Sequence, residues 1–302
     1  MDPKSSYEAV LAQVRKKISG KEDIIKLMFI SIIANGHALL EGVPGVAKTT
    51  MTKALADSIQ ANFGRVQGTS DLEFKDIVGY TFIDANHNIQ VKKGPIFTNI
   101  MLIDELNRAP QRTASALLEA LEERQVTLGD STIPLESPFI AFATQNPLNI
   151  EGTTPVPKVL ADRFLMRIEV TYPTIDEEVN MLKLKESPVE SKVERVLSIE
   201  DILGMQKAIN GVSMSEDVMR YITDIVNQTR TDIHVIMGAS PRAEISFMRA
   251  GKAKAFIEGR KEVAISDINS LARPILSHRI AVRSTGGIGV NGIIDGIIAT
   301  SG

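Results

Sequence analysis

The sequence predicts an α/β protein: a core with a mainly parallel five-stranded sheet over residues 1–170, followed by a smaller all-α region over 171–302. Three observations carry that prediction. Short apolar runs alternate with helical patterns as far as about Val170. A turn of small residues joins the first of those runs to a helix. Beyond Thr171-Tyr172-Pro173-Thr174, strand-like runs nearly vanish.

Apolar positions at helical spacing (Val10, Leu11, Val14, Ile18) predict a helix from about Tyr7 to Ile18, ended by Gly20. A second, strongly apolar helix follows over roughly Glu22 to Asn35, and Gly36 stops it. Candidate strands are Ala38–Leu40, Gly64–Gln67, Ile100–Ile103, Phe139–Thr144 and Met166–Val170. Two segments interrupt the alternation and read as hairpins: Gly79–Pro95, turning at Asp84–Asn88, and Gln125–Phe139, turning at Gly129-Asp130. From Ile175 onward helical spacing dominates, with a loop at Pro188 and Val189–Glu194. Ser198-Ile199-Glu200-Asp201, Ser213-Met214-Ser215-Glu216 and Ser266-Asp267 read as helix N-caps, the middle one with capping-box spacing. The glycine-rich tail, Gly286–Gly289 and then Val290–Thr300, fits a terminal helix and a frayed end equally well.

A chain of 302 residues can bury two cores, and 43% hydrophobic with 24% charged residues is ordinary for a soluble protein. The net charge of −3 shows no general basic footprint, which lowers the case for a nucleic-acid motor but leaves a local patch open. The chain has no cysteine, so a disulfide framework is excluded and a reducing cytoplasm is expected. Its polar N-terminus has no apolar signal core, and no apolar run approaches the ~20 residues that span a bilayer. His37, His87, His234 and His278 are scattered without metal-ligand spacing.

The most informative stretch is Gly42-Val43-Pro44-Gly45-Val46-Ala47-Lys48-Thr49, followed by Thr50. It lies between the apolar run Ala38-Leu39-Leu40 and a helical pattern, the context that a phosphate-binding loop requires. Successive N–H groups of such a turn converge on a phosphate, and the helix N-terminus adds its positive dipole end. Lys48 is then placed to reach β- and γ-phosphates, and the Thr49 hydroxyl to ligate Mg²⁺. The general pattern has glycine where Ala47 stands; an alanine can serve there provided its backbone is helical rather than left-handed. A plain glycine turn capping a βα unit is the alternative.

Ile100–Ile103 runs into Asp104 and Glu105, two carboxylates at the end of a buried strand, where open α/β sheets bind ligands. Asp104 is the candidate metal residue and Glu105 the group that would polarise an attacking water; hydrolysis needs both. Alone, the pair could as well open a surface helix. Ala143-Thr144-Gln145-Asn146-Pro147 ends another apolar strand, so Asn146 either bonds the γ-phosphate or its water, or merely turns the chain. Arg163, in Asp162-Arg163-Phe164, and Arg242, in Gly238-Ala239-Ser240-Pro241-Arg242, complete the set. A guanidinium spreads transition-state charge well, whereas a surface ion pair would contribute little.

The order of these elements resembles that of AAA+ ATPases. The wording Leu40-Glu41-Gly42–Thr49, Asp104-Glu105-Leu106-Asn107-Arg108-Ala109 and Ala143–Pro147 is similar to the MoxR family. Glu151-Gly152-Thr153 with Asp162-Arg163-Phe164, and the run Gly238–Arg242, fit too. The resemblance spans roughly residues 7–285. It implies an αβα P-loop ATPase core with an all-α lid, ATP and Mg²⁺ bound between them, and subunits in a homo-oligomeric ring, expected as a hexamer. By position it makes Lys48, Thr49 and Asp104 the phosphate and Mg²⁺ residues, and Glu105 the base. Asn146 matches the first sensor, Arg163 an arginine finger acting in trans, and Arg242 a second sensor reaching from the lid as it closes on ATP. Gly20 with Ile18 matches the adenine side, and Gln67 a tether on Glu105. The implied role is chaperone-like remodelling of a client protein, often one with a von Willebrand A domain, or aid in metal-cofactor insertion. The two hairpins are the expected outputs. A nucleic-acid motor and a nucleotide-gated binding module remain the rivals; Lys92 and Lys93 serve the first, while Glu105 argues against the second.

Overall fold

The computed structural model describes residues 2–129, 131–147, 155–186, 192–283 and 289–301. The chain opens with helices α1 (Pro3–Val14) and α2 (Glu22–Ile33), then β1 (His37–Glu41), α3 (Lys48–Ser58) and β2 (Phe63–Gln67). A short helix α4 (Phe74–Val78) leads into the hairpin β3 (Gly79–Ile83) and β4 (Ile89–Lys93). Next come β5 (Ile100–Asp104), α5 (Gln111–Glu123), the hairpin β6 (Gln125–Leu128) and β7 (Ser131–Pro134), then β8 (Ile140–Gln145), α6 (Lys158–Ala161) and β9 (Phe164–Glu169). The second region holds α7 (Ile175–Glu186), α8 (Ile199–Ala208), α9 (Glu216–Thr231), β10 (Val235–Met237), α10 (Pro241–Ile257), α11 (Ile265–Leu276), β11 (Ala281–Val282) and α12 (Val290–Thr300).

Five strands form one wholly parallel sheet in the order β2-β5-β8-β1-β9. Both faces of its three central strands are covered, which is why β5, β8 and β1 read as apolar runs rather than alternating ones, whereas the edge strand β2 carries Arg65 and Gln67. Ala38, Leu40, Leu102, Phe142 and Met166 pack toward α1, α2 and α3; Leu39, Met101, Ile103 and Ala143 pack toward α5. The apolar cluster on the first face runs on without a break into the second region, taking in Phe247, Leu271 and Ile294. The packing is therefore continuous across residue 170.

The expected strands and the first hairpin are present within a residue or two, and the second hairpin pairs over Gln125–Pro134, short of the expected Phe139. The first helix starts earlier than periodicity suggests, because Asp2 caps it and Pro3 suits its first position, and it ends at Val14. The helical region is not purely helical: β10 and β11 pair antiparallel. Ser198 and Ser215 cap their helices, but the reciprocal capping box forms at Ser198 with Asp201. Ser213 instead pairs with the Lys261 segment. Ser266 lies inside α11, whose start is held by Asp267 accepting from the Ala264 N–H. Gly289 and Val290–Thr300 form a capped terminal helix, whereas Gly286–Ile288, Asp130 and the 187–191 loop lie outside the described residues.

Candidate active site

The carboxyl end of the parallel sheet gathers most of the singled-out residues. β1 ends at Glu41, the small-residue turn follows, and α3 begins at Lys48. Gly42 is required there because a Cβ would meet the Val170 carbonyl oxygen at 2.3 Å. Gly45 takes φ +86°, and space around it is open. Ala47 overturns the proviso placed on it: its φ is 63°, in the left-handed region, so the loop keeps the glycine-like shape at a cost of about 1–2 kcal/mol. Lys48 donates to the carbonyls of Gly42 and Val43 at 2.6 and 2.9 Å. Burial pulls its ammonium below the usual lysine range, and the charges of Asp104 and Glu105 oppose that shift.

Strands β5 and β8 lie side by side, so Asp104 and Thr144 meet. The Thr144 hydroxyl donates to Asp104 Oδ1 at 2.7 Å and accepts the Glu105 N–H at 2.8 Å. Thr49 Oγ1 and an Arg65 nitrogen donate to Asp104 Oδ2 at 3.1 and 2.8 Å. Burial alone would raise the Asp104 carboxyl; the hydrogen bonds from Thr144, Arg65 and Thr49 outweigh it and hold the group below the usual carboxylate range. Glu105 adopts φ 53°, a left-handed conformation of the kind that functional sites retain. Its Oε2 accepts from Gln67 at 3.1 Å and from Arg108 at 2.9 Å. Asn146 follows β8 at the same end of the sheet, and its carbonyl accepts from Asn107 at 3.4 Å.

Thr49 and Asp104 fit Mg²⁺: they offer hard oxygens in hydrogen-bond contact, and magnesium is commonly held by one or two protein oxygens together with phosphate oxygens. Among the described residues no group of three or more acidic, histidine or cysteine side chains forms a dedicated metal cage. A cleft of about 460 Å³ near the second region is lined by Arg15, Ile18, Gly20, Glu22, Lys183 and Leu184. Gly20 (φ +69°) packs so closely on Glu177 that a Cβ would overlap its carboxyl group, and Lys21 Nζ donates to the carbonyls of Thr171 and Tyr172.

Arg163 and Arg242 do not join this site within one chain. Arg163 immediately precedes β9, whose first residue pairs with the first residue of β1, whereas the phosphate loop follows the last. A strand of this length puts them roughly 16 Å apart along the sheet. Arg163 and Arg242 instead share the Glu122 carboxylate, Arg163 Nε donating to one oxygen at 2.8 Å and Arg242 to the other at 2.7 Å. The closure of Arg242 onto its own phosphate loop is thus replaced by a place beside Arg163, because α10 packs on α2 and β9. Asp162 accepts from Ser240 and Arg279 at 3.0 Å each, tying the helical region to the core. Burial pushes the Arg279 guanidinium down to about 10, with Asp162 opposing. Together with Arg124 and Arg249 these groups line a cavity of about 340 Å³.

Sequence reasoning singled out neither Thr144, Arg65 nor Glu122. Thr144 carried a signal, a hydroxyl in an otherwise apolar strand; Glu122 carried none, since its partners lie far along the chain. Glu151-Gly152-Thr153 lie outside the described residues. Lys92 and Lys93 lie over the rings of Tyr80 and Phe97, at 5.5 and 4.7 Å. No helix among the described residues is long and apolar enough to cross a membrane.

Residues 37–166 match the family of ATPases associated with various cellular activities, and residues 227–287 match the AAA lid domain. Chaperone MoxR1 of Mycobacterium tuberculosis is 35% identical over 288 residues, covering 92% of this chain and 76% of that protein. The uncharacterised protein YeaC of Bacillus subtilis is 42% identical over 270 residues, 88% of this chain and 84% of YeaC. A crystal structure of a candidate ATPase from Cytophaga hutchinsonii superposes with a TM-score of 0.91 at 38% identity, covering 98% of this chain and 94% of that one.

Proposed function

The chain belongs to the MoxR family of AAA+ ATPases, and from that premise we propose that it hydrolyses Mg²⁺-bound ATP to remodel or activate a client protein. The observation that carries this reading is the convergence of Thr49, Asp104 and Glu105 at the phosphate loop, with Glu105 restrained by two side chains. Lys48 exchanges its two carbonyl partners for β- and γ-phosphate oxygens, and the loop amides from Gly42 to Thr50 hold the remaining phosphate charge. Thr49 and Asp104 would hold Mg²⁺, which would supply Lewis-acid stabilisation of the phosphoryl oxygens. Glu105 polarises the attacking water, and Asn146 bonds that water or the γ-phosphate. Ile18, Gly20 and the facing α7 residues receive the base.

Arg163 and Arg242 complete the site of a neighbouring subunit, which makes hydrolysis depend on a homo-oligomeric ring, proposed as a hexamer. An arginine supplied this way can raise the rate by ~10³–10⁵. Both arginines sit at the amino end of their own sheet, a placement that suits delivery across a boundary. The exposed apolar side chains Tyr80, Phe82 and Ile83 on the first hairpin make it the proposed client contact, with a protein bearing a von Willebrand A domain as the expected class. The exposed apolar surface of that hairpin is what favours a protein client over nucleic acid. The cytoplasm is the proposed location.

The test is phosphate release by Glu105→Gln beside its nucleotide affinity. We expect turnover to fall by about 10²–10⁴ while ATP binding is retained. Turnover near the wild-type rate would remove the proposed mechanism.

A further inference from the structure

Alternate residues of a strand project to the same side, so β2 presents Arg65 and Gln67 together. They stand beside the end of β5, where Gln67 pairs in register with Asp104. One Arg65 nitrogen donates both to Asp104 Oδ2, at 2.8 Å, and to Gln67 Oε1, at 3.1 Å. The Gln67 amide nitrogen then donates to Glu105 Oε2 at 3.1 Å. Thr49 Oγ1 donates to the same Asp104 oxygen that Arg65 uses. An unbroken hydrogen-bonded path thus leads from the start of α3 through Asp104, Arg65 and Gln67 to Glu105.

The direction of that path matters. An amide has an accepting end and a donating end, and Arg65 takes the accepting end of Gln67. The NH₂ end is thereby turned toward the Glu105 carboxylate, which it restrains. Without Arg65 the amide is free to turn, and its oxygen would repel the carboxylate. Arg65 and a divalent cation are also rivals for one oxygen of Asp104. The Arg65 side chain is 49% exposed, so it can leave for solvent at little cost, whereas Asp104 at 13% cannot move away.

We infer that Arg65 is a positioning residue that couples cation binding at Thr49 and Asp104 to the release of Glu105, with Gln67 as the intermediate. The inference rests on the ATPase reading above. Arg65 withdraws from Asp104 as the cation is taken up, Gln67 loses the contact that orients its amide, and Glu105 is left held by Arg108 alone. The base is thus restrained until the metal residue is engaged, which limits idle hydrolysis.

The experiment uses Arg65→Met, which keeps the apolar stem and deletes the guanidinium. Magnesium chloride is titrated calorimetrically into the full chain saturated with a non-hydrolysable ATP analogue. The Mg²⁺ dissociation constant is expected to fall two- to fivefold, the worth of a half-exposed ion pair. In turnover at saturating Mg²⁺, Arg65→Met combined with Gln67→Ala is expected to behave as Gln67→Ala alone, because both act on one path. Mg²⁺ bound equally or more weakly by Arg65→Met, or effects of the two substitutions that multiply, would overturn the relay. Glu105→Gln measured alongside separates the two readings. Turnover retained there removes the hydrolytic function; turnover lost there, with unchanged Mg²⁺ affinity in Arg65→Met, removes only the relay.

Discussion

The two ends of the parallel sheet use charge in opposite ways. At the carboxyl end two adjacent acids, Asp104 and Glu105, are held by side chains from neighbouring strands and turns, and most of those partners are free to move aside. At the amino end five arginines line one cavity with two carboxylates, Glu122 and Asp162. Arg279 is almost fully buried, Arg249 donates to the Ala34 and Asn35 carbonyls just after α2, and Arg124 bonds the His37 ring and the carbonyls of Phe139 and Asn35. One end sets two carboxylates among exchangeable cationic and polar partners, suited to a metal and a water; the other is cationic and packed, suited to presenting guanidinium groups to an anion. A ring in which each subunit offers its amino end to its neighbour's carboxyl end would join the two. The lesson is that local motifs built the first end, and contacts between distant segments built the second.

Substitutions can break this comparison, and Arg163→Ala should do so most forcefully. Turnover under assembling conditions should fall at least ~10³-fold, while the nucleotide affinity of an isolated subunit should hardly change. A large loss of affinity in equilibrium binding would place Arg163 in its own chain's site instead. Asp162→Ala should lower stability by about 3 kcal/mol in denaturant unfolding, because Arg279 would be buried without its carboxylate. A loss below about 0.5 kcal/mol would show that the backbone carbonyls around Arg279 suffice to hold it.

Acid should act more gently at the amino end. The hydrogen bond from Arg163, helped by that from Arg242, holds the Glu122 carboxyl below its usual range although burial opposes the shift. Its contribution is therefore fully present above about pH 4.3 and lost as pH falls through the lower folded value. With Glu122 more than a third exposed, the contribution amounts to ~1 kcal/mol or less. The stability gap between wild type and Glu122→Gln, followed by unfolding midpoints, should narrow with acidification and not widen. The smallest effect is expected from Ala47→Gly. Relief of the left-handed backbone and the greater freedom of glycine when unfolded nearly offset, leaving a gain of at most ~1 kcal/mol. A clear loss in thermal unfolding would mean that the alanine methyl packs usefully.

What the sequence determined by itself was the α/β core, its five strands, both hairpins and the residues of the carboxyl end. Those features are local: a strand, a turn and a helix start occupy consecutive positions, and a buried strand delivers whatever residues follow it to the ligand edge. Gly42–Thr49, Asp104-Glu105 and Asn146 were legible for that reason. The tertiary structure alone decided what Arg163 and Arg242 face, because periodicity assigns α10 a buried side without saying which surface buries it. It alone paired Glu122 with residues forty-one and one hundred and twenty positions away. The left-handed turn at Ala47 and the path through Arg65 were likewise settled by packing. Backbone strain and hydrogen bonds between strands depend on which segments meet in space, and that order does not follow the order of the chain.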